Sequence, residues 1–283
     1  MENCKNLKLP PIGYGTFPQK ENLVDNVSTA VDCGYRLIDT SDNYVNEEYV
    51  GRGLKNICCS GKNVIVISKF SQPFRTASLS TCFQESNSKL SGRLNIYLLH
   101  WPFPFLWKRQ WKAMENLYLE GKCDAIGVCN FEKKHLKKLF KFCRVKPFID
   151  QFECHPMFQQ KETSDFCKKN GIQVMSYSPV ARMNKKLIEN ETLLSIARKY
   201  DKSVTQVILR WNVEHGFIPI PAASSERHMK ENIDIFDFSL TESEVKDIDS
   251  LECGFRIRFD PDKRFGMMQK LRFLKVYLKL ALS

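Results

Sequence analysis

Four polar side chains in this 283-residue chain stand at or just past the ends of apolar runs: Asp39 in CGYRLIDT, Tyr44 shortly after it, Lys69 closing NVIVISK and His100 in NIYLLHW. Together their types make a proton donor and the groups that tune it. A phenol with its ordinary pKa near ~10 is a sluggish acid at neutral pH. A neighbouring ammonium favours the phenolate and lowers that pKa, and a carboxylate holds the ammonium in place. An imidazole can donate a hydrogen bond to an oxygen and orient it, and one such donor is worth roughly 3 kcal/mol. The set suits reduction of a carbonyl, in which hydride reaches carbon and a proton must reach oxygen.

Polar residues at the C-terminal ends of apolar runs are where an eight-stranded α/β barrel keeps its chemistry. Strand-like runs end near Thr40, Lys69, Trp101, Asn130, Glu153, Ser178, Pro221 and Phe238, and helical stretches alternate with them. That alternation is the pattern of repeated β-α units around a parallel sheet. Several helical stretches close on glycine, at Gly34, Gly121, Gly171 and Gly216, as a left-handed C-terminal residue requires. The expected fold is α/β, a (β/α)8 TIM barrel. Residues 1–262 would form the barrel and 263–283 a basic amphipathic extension. The segment NLKLPPIGYGTF is expected to form an N-terminal β-hairpin closing the barrel bottom.

Composition bounds the alternatives. With 43% hydrophobic residues the chain can bury a full core, and no Pro/Gly/Ser-rich linker divides it. Eleven cysteines, an odd number without CxxC spacing, read as small buried thiols in a reducing cytoplasm, and no metal site is expected. The formal charge of +11 is concentrated: Lys263, Arg264, Lys270, Arg272, Lys275 and Lys279 are basic in a final stretch that has no acidic residue. No RNA-recognition signature or zinc-finger spacing accompanies it, so nucleic acid is not an expected partner.

The segments PPIGYGTF, GYRLIDTSDNYVNEEYVG, YLLHWP, ENLYLEGKCDAIGVCNF, DQFECHP, GIQVMSYSPV, SVTQVILRW and ENIDIFDFSL occur in one order. Carrying them, the chain resembles the aldo-keto reductases from about Leu9 to about Pro261. The resemblance implies that Asp39, Tyr44, Lys69 and His100 form a catalytic tetrad with Tyr44 as general acid and base. It implies a nicotinamide cofactor whose carboxamide meets Asn130 and Gln151 and whose ring stacks on Tyr177. Thr16, Asp39, Ser178 and Val180 match further cofactor contacts, and Glu231 and Asn232 the adenine side. The substrate, a small carbonyl compound, would lie among Phe17, Tyr44, His100 and Trp101, with Tyr14, Phe70 and the FPFLW segment completing an aromatic mouth.

The chain also departs from the family pattern. Cys129 stands in GVCNF where GVSNF is common. In IPAASSERHMKEN, Ala222 and Ala223 replace the usual Lys and Ser, and His228 falls at an Arg position. The clamp on a 2′-phosphate is thus partly absent, leaving Ser224, Ser225, His228 and the adjacent Arg227 to bind it. NADP(H) is the expected cofactor and NAD(H) the alternative. The basic tail, with Met267, Leu271, Phe273, Leu274, Tyr277, Leu278, Ala281 and Leu282 on one helical face, is too charged to span a bilayer. It would dock on the barrel or attach weakly to an anionic membrane surface. A second reading of the whole is a catalytically weak cofactor-sensing or interaction subunit on the same scaffold.

Overall fold

The computed structural model describes residues 7–57, 62–74 and 78–281. Eight parallel strands follow one another around a sheet in sequence order: β1 (Tyr14–Gly15), β2 (Leu37–Asp39), β3 (Ile65–Phe70), β4 (Ile96–Leu99), β5 (Ala125–Cys129), β6 (Ile149–Glu153), β7 (Gln173–Tyr177) and β8 (Ile218–Pro219). Two backbone bonds bring the ends together, Gly13 N to Pro219 O at 2.9 Å and Gly15 N to Pro221 O at 3.0 Å. The structure is a (β/α)8 barrel.

The expected hairpin does not form among the described residues, and the strand membership shifts by one place. Tyr14–Gly15 is itself the first barrel strand, paired in parallel with β2. The reason is visible at Gly15, where a Cβ would come within 2.9 Å of the Ile220 carbonyl oxygen, so glycine lets the last strand approach. Upstream, Leu7 and Leu9 pack against the barrel interior next to Phe148, so the segment caps the bottom without pairing as a hairpin. At the other end, IDIFDF forms no strand. Eight strands already close the barrel and leave no edge for it to join.

Strand side chains alternate between two environments. Leu37, Ile67, Leu98, Ile149 and Met175 point into the barrel, where they form one buried cluster. Ile38, Val66, Tyr97, Val128 and Phe152 point outward and pack under the helices. Two residues on from the inward set, at the C-terminal rim, come Asp39, Lys69, His100, Gln151 and Tyr177. The period of the strands therefore gathers the polar side chains of five different strands over one apolar floor.

Twelve helices are assigned among the described residues, including α1 (Leu23–Asp32), α2 (Glu47–Asn56), α3 (Leu79–Lys89), α4 (Trp107–Leu119), α5 (Lys133–Leu139), α6 (Lys161–Lys169), α7 (Lys185–Ile188), α8 (Glu191–Tyr200), α9 (Val204–Glu214), α10 (Glu226–Ile233), α11 (Glu242–Asp249) and α12 (Met267–Ala281). Their starts follow local chemistry: Ser203 with Gln206 and Thr241 with Glu244 form capping boxes on α9 and α11. Gly121 and Gly216, after α4 and α9, adopt φ of 70°, the left-handed value expected of them.

The tail docks on the barrel. Phe273 of α12 is buried with Trp101, Phe103, Leu106 and Phe265, and it stacks on Phe74 at 4.5 Å. Other apolar residues of that tail remain outside, with Met267 and Met268 at least 80% exposed. No helix among the described residues is long and apolar enough to cross a membrane.

Asp150, an outward residue of β6, is fully buried, with Oδ1 lacking a hydrogen-bond partner and Oδ2 facing the Cys167 thiol at 4.0 Å. Burial pushes its carboxyl well above the ordinary range, so the folded protein holds a proton that the unfolded chain sheds above pH ~4. The cost of retaining that proton grows as pH rises. Asp150→Asn is expected to raise stability at neutral pH, by a margin that widens from pH ~4 to ~7 in urea unfolding series. A margin that is constant or narrows over that range would contradict a neutral Asp150.

Candidate active site

The rim is organised by Lys69, which has no exposed surface. Its Nζ donates to both carboxylate oxygens of Asp39 at 2.7 Å and to the Thr40 carbonyl at 2.8 Å, and it lies 3.4 Å from the Tyr44 hydroxyl. Burial works to depress the ammonium's pKa, but the Asp39 carboxylate overrides it and holds Lys69 above its usual value. Gln151 Nε2 donates to Asp39 Oδ1 at 2.7 Å, so β6 braces the pair formed by β2 and β3.

Tyr44 ends a 3-10 turn, Asp42–Tyr44, whose first residue follows the side-chain cap Ser41. The expectation of a lowered phenol pKa is not met. Burial pushes Tyr44 up to about 12; Lys69 pulls it down and Asp39 pushes it up again. The ammonium is already neutralised by a carboxylate closer to it than the phenol is, so desolvation wins. Tyr44 is a neutral hydroxyl at any ordinary pH.

His100 lies just past β4, its ring 6.0 Å from that of Tyr44. Burial, followed by the charges of Lys69, Arg264 and Arg258, drives its pKa well below the usual imidazole value. The ring is therefore neutral. Its Nδ1 faces two hydroxyls, Ser71 at 2.5 Å and Ser41 at 3.1 Å. Where these donate to Nδ1, Nε2 carries the proton and can donate to a substrate oxygen. Neither serine was singled out in the sequence. Both sit just beyond the ends of β2 and β3, the same signal that marked Asp39 and Lys69.

A cavity of about 700 Å³ opens over this rim. One part is lined by Asp39, Asn130, Tyr177, Ser178 and Val180 and runs on to His228, Glu231 and Asn232. Asn130 and Ser178, the residues after β5 and β7, take left-handed φ of 63° and 50°. Such strain in non-glycine residues persists only when surroundings hold it. Asn130 is held: its Nδ2 donates to the His100 carbonyl at 3.0 Å and to Cys129 Sγ at 3.1 Å, and its Oδ1 accepts from the Tyr177 hydroxyl at 2.6 Å. Cys129 is buried and burial pushes its thiol well up, which leaves it inert.

Four expected cofactor residues stand off the cavity wall. Gln151 is buried beneath it against Asp39. Thr16 is fully buried, its hydroxyl donating to the Asp39 carbonyl at 2.9 Å. Ser225 caps α10, accepting from the His228 amide, and Ser224 is exposed beside it. Arg227 does line the cavity, near His228.

At the mouth, Phe17 and Trp101 line the cavity with Tyr44 and His100, as expected for a substrate site. Tyr14 and Phe70 do not. Tyr14 is buried and donates to the Ala223 carbonyl at 2.7 Å, and Phe70 packs outward in the helix-facing cluster because it follows the inward Lys69. His155 is structural: it is buried, with Nε2 3.2 Å from Glu153 Oε1. Glu153 in turn accepts from the backbone amides of Ile257 at 2.6 Å and Arg258 at 2.7 Å, which ties a C-terminal strap across the mouth.

A barrel with this rim, and with a long groove leading away from a buried Lys–Asp pair and a neutral phenol, is the framework of an oxidoreductase that works on a bound dinucleotide. The Aldo/keto reductase family profile matches residues 11–252, and the chain belongs to that family. Glyoxal reductase of Bacillus subtilis (strain 168) is 40% identical over 263 residues, covering 91% of this chain and 94% of that protein. Methylglyoxal reductase DkgA of Escherichia coli (strain K12) is 32% identical, covering 91% and 94%. Among solved structures, the aldo-keto reductase MGS-M4 from a Medee basin deep-sea metagenome library superposes with a TM-score of 0.85 at 35% identity, covering 91% and 97%. An aldo-keto reductase complexed with NADPH gives 0.81 at 29% identity, covering 88% and 86%.

Asp39→Asn would leave the Lys69 ammonium buried with little but carbonyl oxygen to meet it. The expected loss in urea unfolding is about 3–5 kcal/mol. Pairing Asp39→Leu with Lys69→Met should restore most of it, since no charge is then stranded. A double variant as unstable as the single one would mean that the ion pair is not the cause.

Proposed function

We propose that this protein reduces an aldehyde or ketone with NADPH, Tyr44 delivering the proton to the carbonyl oxygen. The observation that carries the reading is the Tyr44 hydroxyl, 3.4 Å from a buried ammonium and facing a cavity shared with a neutral His100. The names of the relatives, a glyoxal reductase and a methylglyoxal reductase, support a small carbonyl compound as substrate, and the NADPH-bound neighbour supports NADP(H).

A bound reduced nicotinamide supplies the hydride. The chain's own residues do the rest. Tyr177 and the amide of Asn130 suit the flat ring and its carboxamide, and Ser178 and Val180 begin the groove along which the dinucleotide would lie. At its far end Arg227 and His228 would meet the 2′-phosphate in place of the missing lysine, with Glu231 and Asn232 on the adenine side. His100 Nε2 donates to the substrate oxygen and fixes its direction toward Tyr44. As negative charge grows on that oxygen, the Tyr44 proton moves to it, and Lys69 stabilises the phenolate left behind. A Tyr44 pKa of about 12 keeps the proton in place until that moment. The buried Cys129, Cys154 and Cys167 thiols suit a reducing compartment such as the cytoplasm.

Tyr44→Phe should lower kcat for reduction by about 100- to 10,000-fold while leaving the Kd for NADPH nearly unchanged. In the wild type, kcat/KM for reduction should stay level past the ordinary phenol range near pH ~10, since the folded phenol is still protonated there. Near-normal turnover in the variant would remove Tyr44 from the reaction. For the cofactor, Arg227→Ala should weaken NADPH about tenfold more than NADH in fluorescence titration, the loss of one charge-assisted contact to phosphate. Equal weakening of both would place the phosphate elsewhere.

A further inference from the structure

The strap pinned by Glu153 carries two guanidiniums, Arg258 and Arg264, into the wall of the cavity. Arg264 lies over the Trp101 ring, 4.1 Å from its centre, and Trp101 stacks beside His100 at 6.2 Å. Arg258 lies 5.7 Å from the centre of Phe17, whose ring is 5.0 Å from that of Tyr44. Each guanidinium is thus one aromatic ring removed from one of the two groups that would meet a carbonyl oxygen.

Among the described residues neither forms an ion pair. Their neighbour Arg256, by contrast, is matched to Glu132 at 3.0 Å. Burial depresses the Arg264 guanidinium and the nearby charge of Arg258 depresses it further, so two half-buried cations face the cavity unbalanced, and a carboxylate between them would relieve the repulsion. The dinucleotide does not account for them, since its expected groove runs the other way, from Tyr177 through Ser178 and Val180 to His228. Arg182, on the loop after Val180, lies 5.8 Å from the centre of the same Phe17 ring and adds a third positive charge to the Phe17 end of the cavity.

We infer that Arg258 and Arg264 form a subsite for an anionic group on the substrate, so that this protein prefers carbonyl compounds that also carry a carboxylate. The inference rests on the proposed reduction. The carboxylate is a spectator in that step: hydride goes to the carbonyl carbon, the Tyr44 proton to its oxygen, and the anion stays bound between the guanidiniums. Planar, forked donors suit a carboxylate, and their stacking on Trp101 and Phe17 holds them in place before it arrives.

The test uses 4-carboxybenzaldehyde and its uncharged methyl ester with the full-length protein. Two readouts are needed: kcat/KM with NADPH, and calorimetric binding in the presence of NADP+, where no hydride is available. The acid should exceed the ester by about tenfold or more in both, and that ratio should collapse in Arg258→Ala/Arg264→Ala and in the length-preserving Arg258→Gln/Arg264→Gln. A wild type that binds the ester as well as the acid overturns the subsite, whatever the variants do. Variants that weaken NADP+ while keeping the acid-to-ester ratio also overturn it, by assigning the arginines to the dinucleotide. Selective binding of the acid with no reduction of either compound would support the subsite and sink the proposed reaction instead.

Discussion

The buried contact between the Lys69 ammonium and the Asp39 carboxylate is the constraint around which the rest of the molecule is arranged. Two charges at 2.7 Å with almost no exposed surface are tolerable only if every remaining proton and lone pair is met. Thr40 meets one proton of the ammonium and Gln151 one lone pair of the carboxylate. Those partners come from β2 and β6, which only a closed barrel brings together with β3. The fold therefore does more than display the phenol. It supplies the nearby cation while sparing Tyr44 from being ionised by it, because the cation's attraction is already spent on a nearer carboxylate.

Around that pair the cavity divides by chemistry. Toward Tyr177 and Asn130 it is polar, held by strained backbone and by amides whose partners are fixed. Toward Trp101 and Phe17 it is aromatic and cationic. The first half is built from strand ends, which the barrel makes rigid. The second depends on residues after the last helix of the barrel, brought back by Glu153. That carboxylate has its own pKa held down, against the effect of burial, by His155 and by the amides of Ile257 and Arg258. Glu153 shares the placing of the strap with Met157, whose carbonyl accepts from the Cys253 and Phe255 amides, and with Glu132, which pairs with Arg256.

Much of this was legible in the sequence because strands have a period of two. Once Leu37, Ile67 and Leu98 are inward, Asp39, Lys69 and His100 must follow them, and no further information is needed. The same rule, applied to β3, excludes Phe70 from the mouth. What was not legible depends on contacts between distant segments. Tyr14 reads as a pocket aromatic until its hydroxyl is seen bound to the Ala223 carbonyl. Gly13 and Gly15 lie in the segment expected to form a hairpin, but their missing side chains serve the approach of the chain at β8. The depressed phenol pKa expected from Lys69 failed because charge neutralisation by Asp39 and the depth of burial are properties of the folded surroundings. Arg258 and Arg264 carry no local signal at all, since nothing in RIRF or DKRF states which guanidinium finds a carboxylate.

The fastening of the strap also bears on how molecules arrive. Glu153 belongs to the barrel wall, so the backbone at Arg258 is hydrogen-bonded to the same strand that carries Gln151. Guanidiniums at that mouth draw anions by electrostatic attraction at a distance, and salt in the surrounding water weakens their reach over roughly a Debye length of ~10 Å.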